Sequence, residues 1–222
     1  MNFAQYCQGI QTVVRNLAGI IQINNITSQT SQKTITWSGR KPGIMKGVYY
    51  PLEYQALIDT QQYSLLLKDG SFFQFFFDFD DSDILKKARL AYYPKPIPTS
   101  DSQDDIVVAY EDAIERSDEE LFEHLYNWTE LIDLHKHPSN TSHIRFDYDT
   151  SVESHCEAHI QLSGIQEFRV PASFIPQPMA FVQLCEDLVD GLESICSSTL
   201  TFERNHSAQV TDPEHLIKLK LL

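Results

Sequence analysis

YSLLLKDGSFFQFFFDF, running from Tyr63 to Phe79, is the stretch whose reading decides the fold. Two apolar runs flank Asp69-Gly70, and both of those residues tolerate positive φ, so the spacing predicts a β-hairpin closed by a type I′ turn. The second arm, Phe72 to Phe79, carries aromatics on both of its faces. Such a strand needs cover on each side and belongs in the centre of a sheet. Downstream, KKARLAYYPKPIP from Lys86 reads as a third strand stopped by Pro94, Pro96 and Pro98, and the three strands make a meander. Upstream, KTITW at 33–37 is a further short strand, followed by the Gly- and Pro-punctuated loop SGRKPGIMKG.

Helices are expected around this sheet. Tyr6, Ile10, Val13, Val14, Leu17, Ile20 and Ile21 recur at three- and four-residue steps, predicting a helix over 3–23, with Gly9 and Gly19 as weak points. TSDSQDD at 99–105 reads as a polar linker into an acidic helical part. There Ser117 and Glu120 have capping-box spacing, and Leu121, Leu125, Trp128, Leu131 and Ile132 form an apolar stripe. Pro176 and Pro178 open a third helix, along which Phe181, Leu184, Cys185, Leu188, Leu192 and Ile195 recur. STLTFE is strand-like, and the tail beyond it carries Leu216, Ile217, Leu219, Leu221 and Leu222, apolar residues that need something to pack on.

The polar chemistry gathers in SHIRFDYDTSVESHCEAHIQLSGIQEFRVP, residues 142–171. Strands are expected at 143–149, 157–163 and 166–170. Strand alternation puts Arg145 and Asp147 on one face and Phe146 and Tyr148 on the other. His155 and His159, four apart, share a side in either a strand or a helix. Five histidines between 135 and 159, with Cys156 and Asp147, are potential metal ligands, but neither HExxH nor paired-cysteine spacing occurs, so no metal or cofactor is expected. HIRF at 143 and HIQL at 159 have Arg145 and Gln161 where two-histidine phosphoesterases need a hydroxyl. Arg116 and His124 also miss the Rx4-6H spacing of all-helical ribonucleases. Walker, GxGxxG, GxSxG and PD-(D/E)xK patterns are absent. What remains catalytically is a metal-independent ribonuclease, with His155 and His159 as acid and base and Arg145 and Arg169 on the phosphate.

Composition narrows the class. With 42% hydrophobic and 22% charged residues the chain has the make-up of a folded globular protein. No apolar run approaches the length that spans a bilayer, and the start lacks the charged and small-residue signals of secretion. Cys7, Cys156, Cys185 and Cys196 are scattered, which suits reduced thiols in a cytoplasm. The net charge of −14 is placed unevenly: no Asp or Glu precedes Glu53, whereas residues 101–133 hold twelve acidic side chains and one basic one, Arg116. Nucleic acid as the sole partner is disfavoured, and contact with it is left to Arg40, Lys41 and Lys46. Unlike faces suit a piece of a complex.

The order and spacing of LLLKDGSFFQFFFDFD, KARLAYYPKP, IRFDYD, SHCEAHIQL, FRVP and a Pro-started helix, over residues 60–190, resemble an uncharacterised bacterial family, domain of unknown function 2290. The family pattern has His-Pro-x-x-His where this chain has His155-Cys156-Glu157-Ala158-His159. The resemblance implies no activity; it implies company with mobile and antiviral defence genes.

The expected architecture is one α+β domain over residues 1–222, an antiparallel sheet of about six strands flanked by amino-terminal, acidic middle (insertion 99–137) and carboxy-terminal helices. The expected function is a non-enzymatic adaptor subunit of a bacterial, defence-related assembly, meeting proteins encoded nearby, such as an ATPase or a nuclease. Its contacts would run through Asp118, Glu119, Glu120 and Glu123 and through Leu219 and Leu221. The ribonuclease of Arg145, His155, His159 and Arg169 is the alternative, and an acidic nucleic-acid mimic is the third.

Overall fold

The computed structural model describes residues 2–41, 50–97, 103–119, 121–123, 125–126, 142–152, 156–162 and 169–189. Its frame is a mixed α+β arrangement in which nine strands form one antiparallel sheet. The strands are β1 (Ile21–Asn24), β2 (Ile26–Gln29), β3 (Thr34–Trp37), β4 (Leu65–Leu67), β5 (Phe72–Phe79), β6 (Leu85–Tyr93), β7 (Ile144–Asp149), β8 (Ala158–Leu162) and β9 (Arg169–Pro171). The main path runs β1-β4-β5-β6-β7-β8-β9, with β2 paired to β3 and β3 to β5. Among the helices of the described residues are α1 (Phe3–Asn16), α2 (Tyr50–Asp59), α3 (Gln103–Glu115) and α4 (Pro178–Leu184).

β5 is the central strand, as its two aromatic faces require. One edge pairs with β6 along its whole length, Phe72 opposite Tyr93 and Asp78 opposite Lys87. The other edge is shared: β4 takes its start at Phe72 and Phe73, and β3 takes its end at Phe77 and Asp78. Between them the Ser64 hydroxyl accepts from Phe75 N at 2.8 Å, filling the gap in the ladder.

The hairpin before β5 is present, but its turn differs from the type I′ expectation. Gly70 N donates to Leu67 O at 3.1 Å and Leu67 N to Ser71 O at 2.8 Å, making a three-residue loop in which Gly70 has φ of +92° and Asp69 stays out of the positive region. Asp69 instead spends its carboxylate on Ser71 N at 2.8 Å. That is a type I turn completed by a left-handed glycine, the next commonest way to close a hairpin.

The faces of the sheet separate by alternation. Phe73, Phe75, Phe77, Leu90, Tyr92 and Phe146 point one way, into a dry core roofed by α1 and α4. The Tyr6 ring of α1 lies tilted against Phe77 with centroids 4.6 Å apart, and α1 passes beside Pro178 of α4 at Gly9, where a Cβ would make an ordinary 3.4 Å contact with the ring. On the opposite face α2 covers only one end, where Tyr50, Tyr54, Tyr63, Phe72 and Tyr93 cluster.

Several elements depart from the sequence reading. The first helix stops at Asn16, capped at its start by an Asn2–Gln5 box, and Ile21 goes into β1 instead because it finds Leu67 of β4 as a strand partner. Strand pairing outweighed the periodicity that extended the helix to 23. The α2 segment and the β2 arm are not visible in the sequence pattern: the apolar residues of α2, from Tyr50 to Ile58, are spread round the helix and show no period, and β2 has only Ile26 beside Thr, Ser and Gln. The acidic part holds α3 at 103–115, beginning inside the supposed linker, and the next helical turn is capped by Asp118, which accepts from Leu121 N at 3.1 Å, rather than by Ser117. Leu125 is buried against Ala113 as the stripe requires, but Leu121 is exposed. Trp128, Leu131, Ile132, STLTFE and the apolar tail lie outside the described residues.

Phe75 is fully buried on the dry face, while Ile84 at the β5–β6 turn is 63% exposed. Phe75→Ala should lower unfolding free energy by about 3–5 kcal/mol, and Ile84→Ala by less than about 0.5 kcal/mol. Urea denaturation followed by tryptophan fluorescence measures both, and equal effects would contradict a core on that side of β5.

Candidate functional site

Beyond the end covered by α2, the second face of the sheet is polar and open. Strand register builds it: Arg89 on β6, Asp147 on β7 and His159 on β8 stand side by side in one row. Ala91, Arg145, Gln161 and Arg169 form the next row across β6, β7, β8 and β9. Arg145 and Asp147 do share a face, as the alternation in IRFDYD predicts. Phe146 and Tyr148 face the core.

Asp147 is the hub. Arg89 Nε donates to its Oδ1 at 2.8 Å and Arg145 Nε to its Oδ2 at 2.6 Å, while His159 Nε2 lies 3.9 Å from Oδ2. Arg145 also donates through Nη2 to Gln161 Oε1 at 2.5 Å. Burial alone would raise the pKa of the Asp147 carboxyl, but the charges of Arg89 and Arg145 outweigh it and hold the group below the ordinary carboxylate range. Burial pulls the Arg145 guanidinium down, and Asp147 more than restores it. Both partners therefore stay ionised.

A second buried polar group lies under α2. Glu53 accepts from the Tyr93 hydroxyl at 3.3 Å, and its other oxygen is 3.4 Å from His143 Nδ1. Burial first, and the Glu53 charge second, push the Tyr93 pKa up, which keeps that hydroxyl protonated as a donor.

The open part forms a cleft of about 330 Å³ lined by Arg40, Lys87, Arg89, Arg145 and Arg169, with Asp147 and Asp149 as its carboxylates. Arg40 reaches it from the segment after β3, its guanidinium 3.8 Å above the Phe76 ring and 5.5 Å from Trp37. Burial and the nearby Arg89 charge both lower the Arg40 pKa. Buried Gln62 fixes that segment: its Oε1 accepts from Trp37 Nε1 at 3.3 Å and Lys41 N at 2.8 Å, and its Nε2 donates to Gly39 O at 3.1 Å. Gly39, at φ +66°, supplies the turn.

Of the proposed ribonuclease residues, Arg145, His159 and Arg169 line this one cleft, whereas His155 lies outside the described residues. Asp118, Glu119 and Glu123 are exposed in the acidic helical part, remote in sequence from the cleft strands, and Glu120, Leu219, Leu221 and Lys46 lie outside the described residues. Lys41 is exposed beside Arg40. Among the described residues no three His, Cys, Asp or Glu side chains converge as a metal centre requires, and no helix is long and apolar enough to cross a membrane. Arg89, Lys87, Gln161 and Glu53 escaped the sequence reading. Arg89 and Lys87 were detectable, since alternation in LKKARLAYY puts Lys87, Arg89, Ala91 and Tyr93 on one face.

Because the folded-state pKa of Asp147 is depressed, its contribution to stability is complete above the unfolded value of about 4 and disappears as pH falls through the lower folded value. Asp147→Asn, which strands two arginines, should cost about 3–5 kcal/mol at neutral pH. It should also flatten the loss of stability below about pH 4. Thermal melts across that range check both; an unchanged acid profile in the variant would assign the loss to other carboxylates.

Among known proteins, the family model described as an uncharacterized conserved protein (DUF2290) matches residues 20–186. That is more than half of the chain and reaches further toward the amino terminus than the segments that first suggested the resemblance. No curated protein and no solved structure matches. With the meander, the IRFDYD strand and the Pro-started helix all inside the matched region, this chain belongs to the DUF2290 family of uncharacterized conserved proteins.

Proposed function

We propose that this protein is a non-enzymatic adaptor, a cytoplasmic subunit of a bacterial multi-protein assembly that docks a basic protein partner on α3 and the helical turn after it. The observation that carries this reading is the outer face of α3. Val108 is 63% and Ile114 52% exposed, with Val107, Leu121 and Tyr126 also open. Among them stand the exposed carboxylates Glu111, Asp112, Glu115, Asp118, Glu119 and Glu123. The inner face is satisfied, Ala113 packing on Leu125 and Tyr110 on Phe122. Apolar side chains ringed by like charges are what a docking face for a cationic partner presents. The setting in defence, and an ATPase or nuclease as the partner, rest on the sequence resemblance alone.

A second reading, a metal-independent ribonuclease, is favoured by one observation: Arg145, His159 and Arg169 line a single cleft. Against it stands the engagement of Asp147 and Arg145 with each other and with neighbouring strands, which gives those residues work as cross-strand ties.

Co-expression with the genes that flank it, followed by affinity purification, tests the adaptor. A stoichiometric complex is expected, lost in Val108→Lys/Ile114→Lys; a monomer that retains nothing sinks the reading. His159→Ala separates the alternatives, since a ribonuclease loses RNA cleavage while remaining folded, whereas the adaptor keeps its partner.

A further inference from the structure

We propose that the cleft between Arg40 and Arg169 is a phosphate-binding site, which takes the phosphate group of a nucleotide either free or within a single strand of nucleic acid. The inference goes beyond the adaptor reading and stands without it.

The first ground is charge. A chain of net charge −14 concentrates five cationic side chains against two carboxylates in one concave place. The acidic helical part repels a polyanion, whereas cationic side chains outnumber carboxylates in the cleft.

The second ground is that the site is built. Arg89 and Arg145 are held at fixed positions by Asp147, and Gln161 orients Arg145 further. The Arg89–Asp147 bond runs through Nε, so the terminal nitrogens of that guanidinium lie outside it. Arg40 is set by its ring contact with Phe76 and by the Gln62 amide that pins its segment. A guanidinium so immobilised loses little entropy on meeting an oxyanion.

The third ground is that, among the described residues, two of the cations are not held in a salt bridge, Arg40 feeling Asp78 only at longer range. Arg40 and Arg169 have no carboxylate within ion-pair distance among the described residues, in contrast to Lys87, Arg89 and Arg145. Burial and the Arg89 charge disfavour the charge of Arg40, which an anion beside it would relieve. Forked donors converging from several directions fit the three oxygens of a phosphate better than the two of a carboxylate.

The test uses the full chain. Anisotropy of a labelled single-stranded RNA oligonucleotide, and calorimetric titration with AMP, should show binding at low ionic strength. For the strand, the log–log salt slope should be about −0.7 per phosphate engaged. Arg40→Ala and Arg169→Ala should each weaken binding about tenfold or more, while Arg116→Ala, exposed on the flank of α3, should leave it unchanged. If loss of the Phe76 contact unfolds the Arg40 variant, Arg169→Ala decides alone. Binding of AMP identifies a free nucleotide as sufficient, and binding of the strand alone identifies a polynucleotide; either supports the site. It is overturned if neither probe binds, if Arg169→Ala binds like wild type, or if a polyglutamate peptide binds as tightly as the strand.

Discussion

One carboxylate held between two guanidiniums organises the open side of this molecule. Asp147 takes Arg89 from one neighbouring strand on Oδ1 and Arg145 from its own strand on Oδ2, and Arg145 passes the connection to Gln161 on the next. Three strands are thus tied by side chains as well as by their ladders. The tie exists because the opposite face of the same strands is fully committed to a dry core. A strand with an apolar row on one side has its other row free for ionic chemistry, and burial makes such chemistry costly unless every charge finds its complement.

Much of this was legible in the sequence, for reasons that differ from residue to residue. The aromatic run of β5 announced a central strand because no other position hides rings on both faces. IRFDYD announced the shared face of Arg145 and Asp147 because a period of two leaves no alternative in a strand. What stayed hidden depends on partners distant in the chain. Ile21 looks helical from its neighbours and is a strand residue only because Leu67 pairs with it. Gln62 is a polar residue in an unremarkable stretch until folding places Trp37, Gly39 and Lys41 around its amide. Arg89 belonged to a strand that was correctly read, yet its role as partner of Asp147 required knowing that β6 lies beside β7 and in which register.

Charge is distributed so that two kinds of surface coexist on one chain. The acidic helical part carries carboxylates around exposed Val108 and Ile114, and the sheet carries arginines around Phe76. The two surfaces are opposite in sign and separate in the chain, so each presents the charge that the other repels.

The contact between α1 and α4 joins an early and a late segment of the chain over one core. During synthesis the apolar side of α1 emerges first and meets Phe77 and Phe79 of the sheet only after β5 has been made. Its other neighbour, Pro178, arrives more than a hundred and fifty residues later. Until then the roof of the core is incomplete, and a chain halted before α4 leaves Phe73 without Phe181 and Tyr92 without its Leu188 partner.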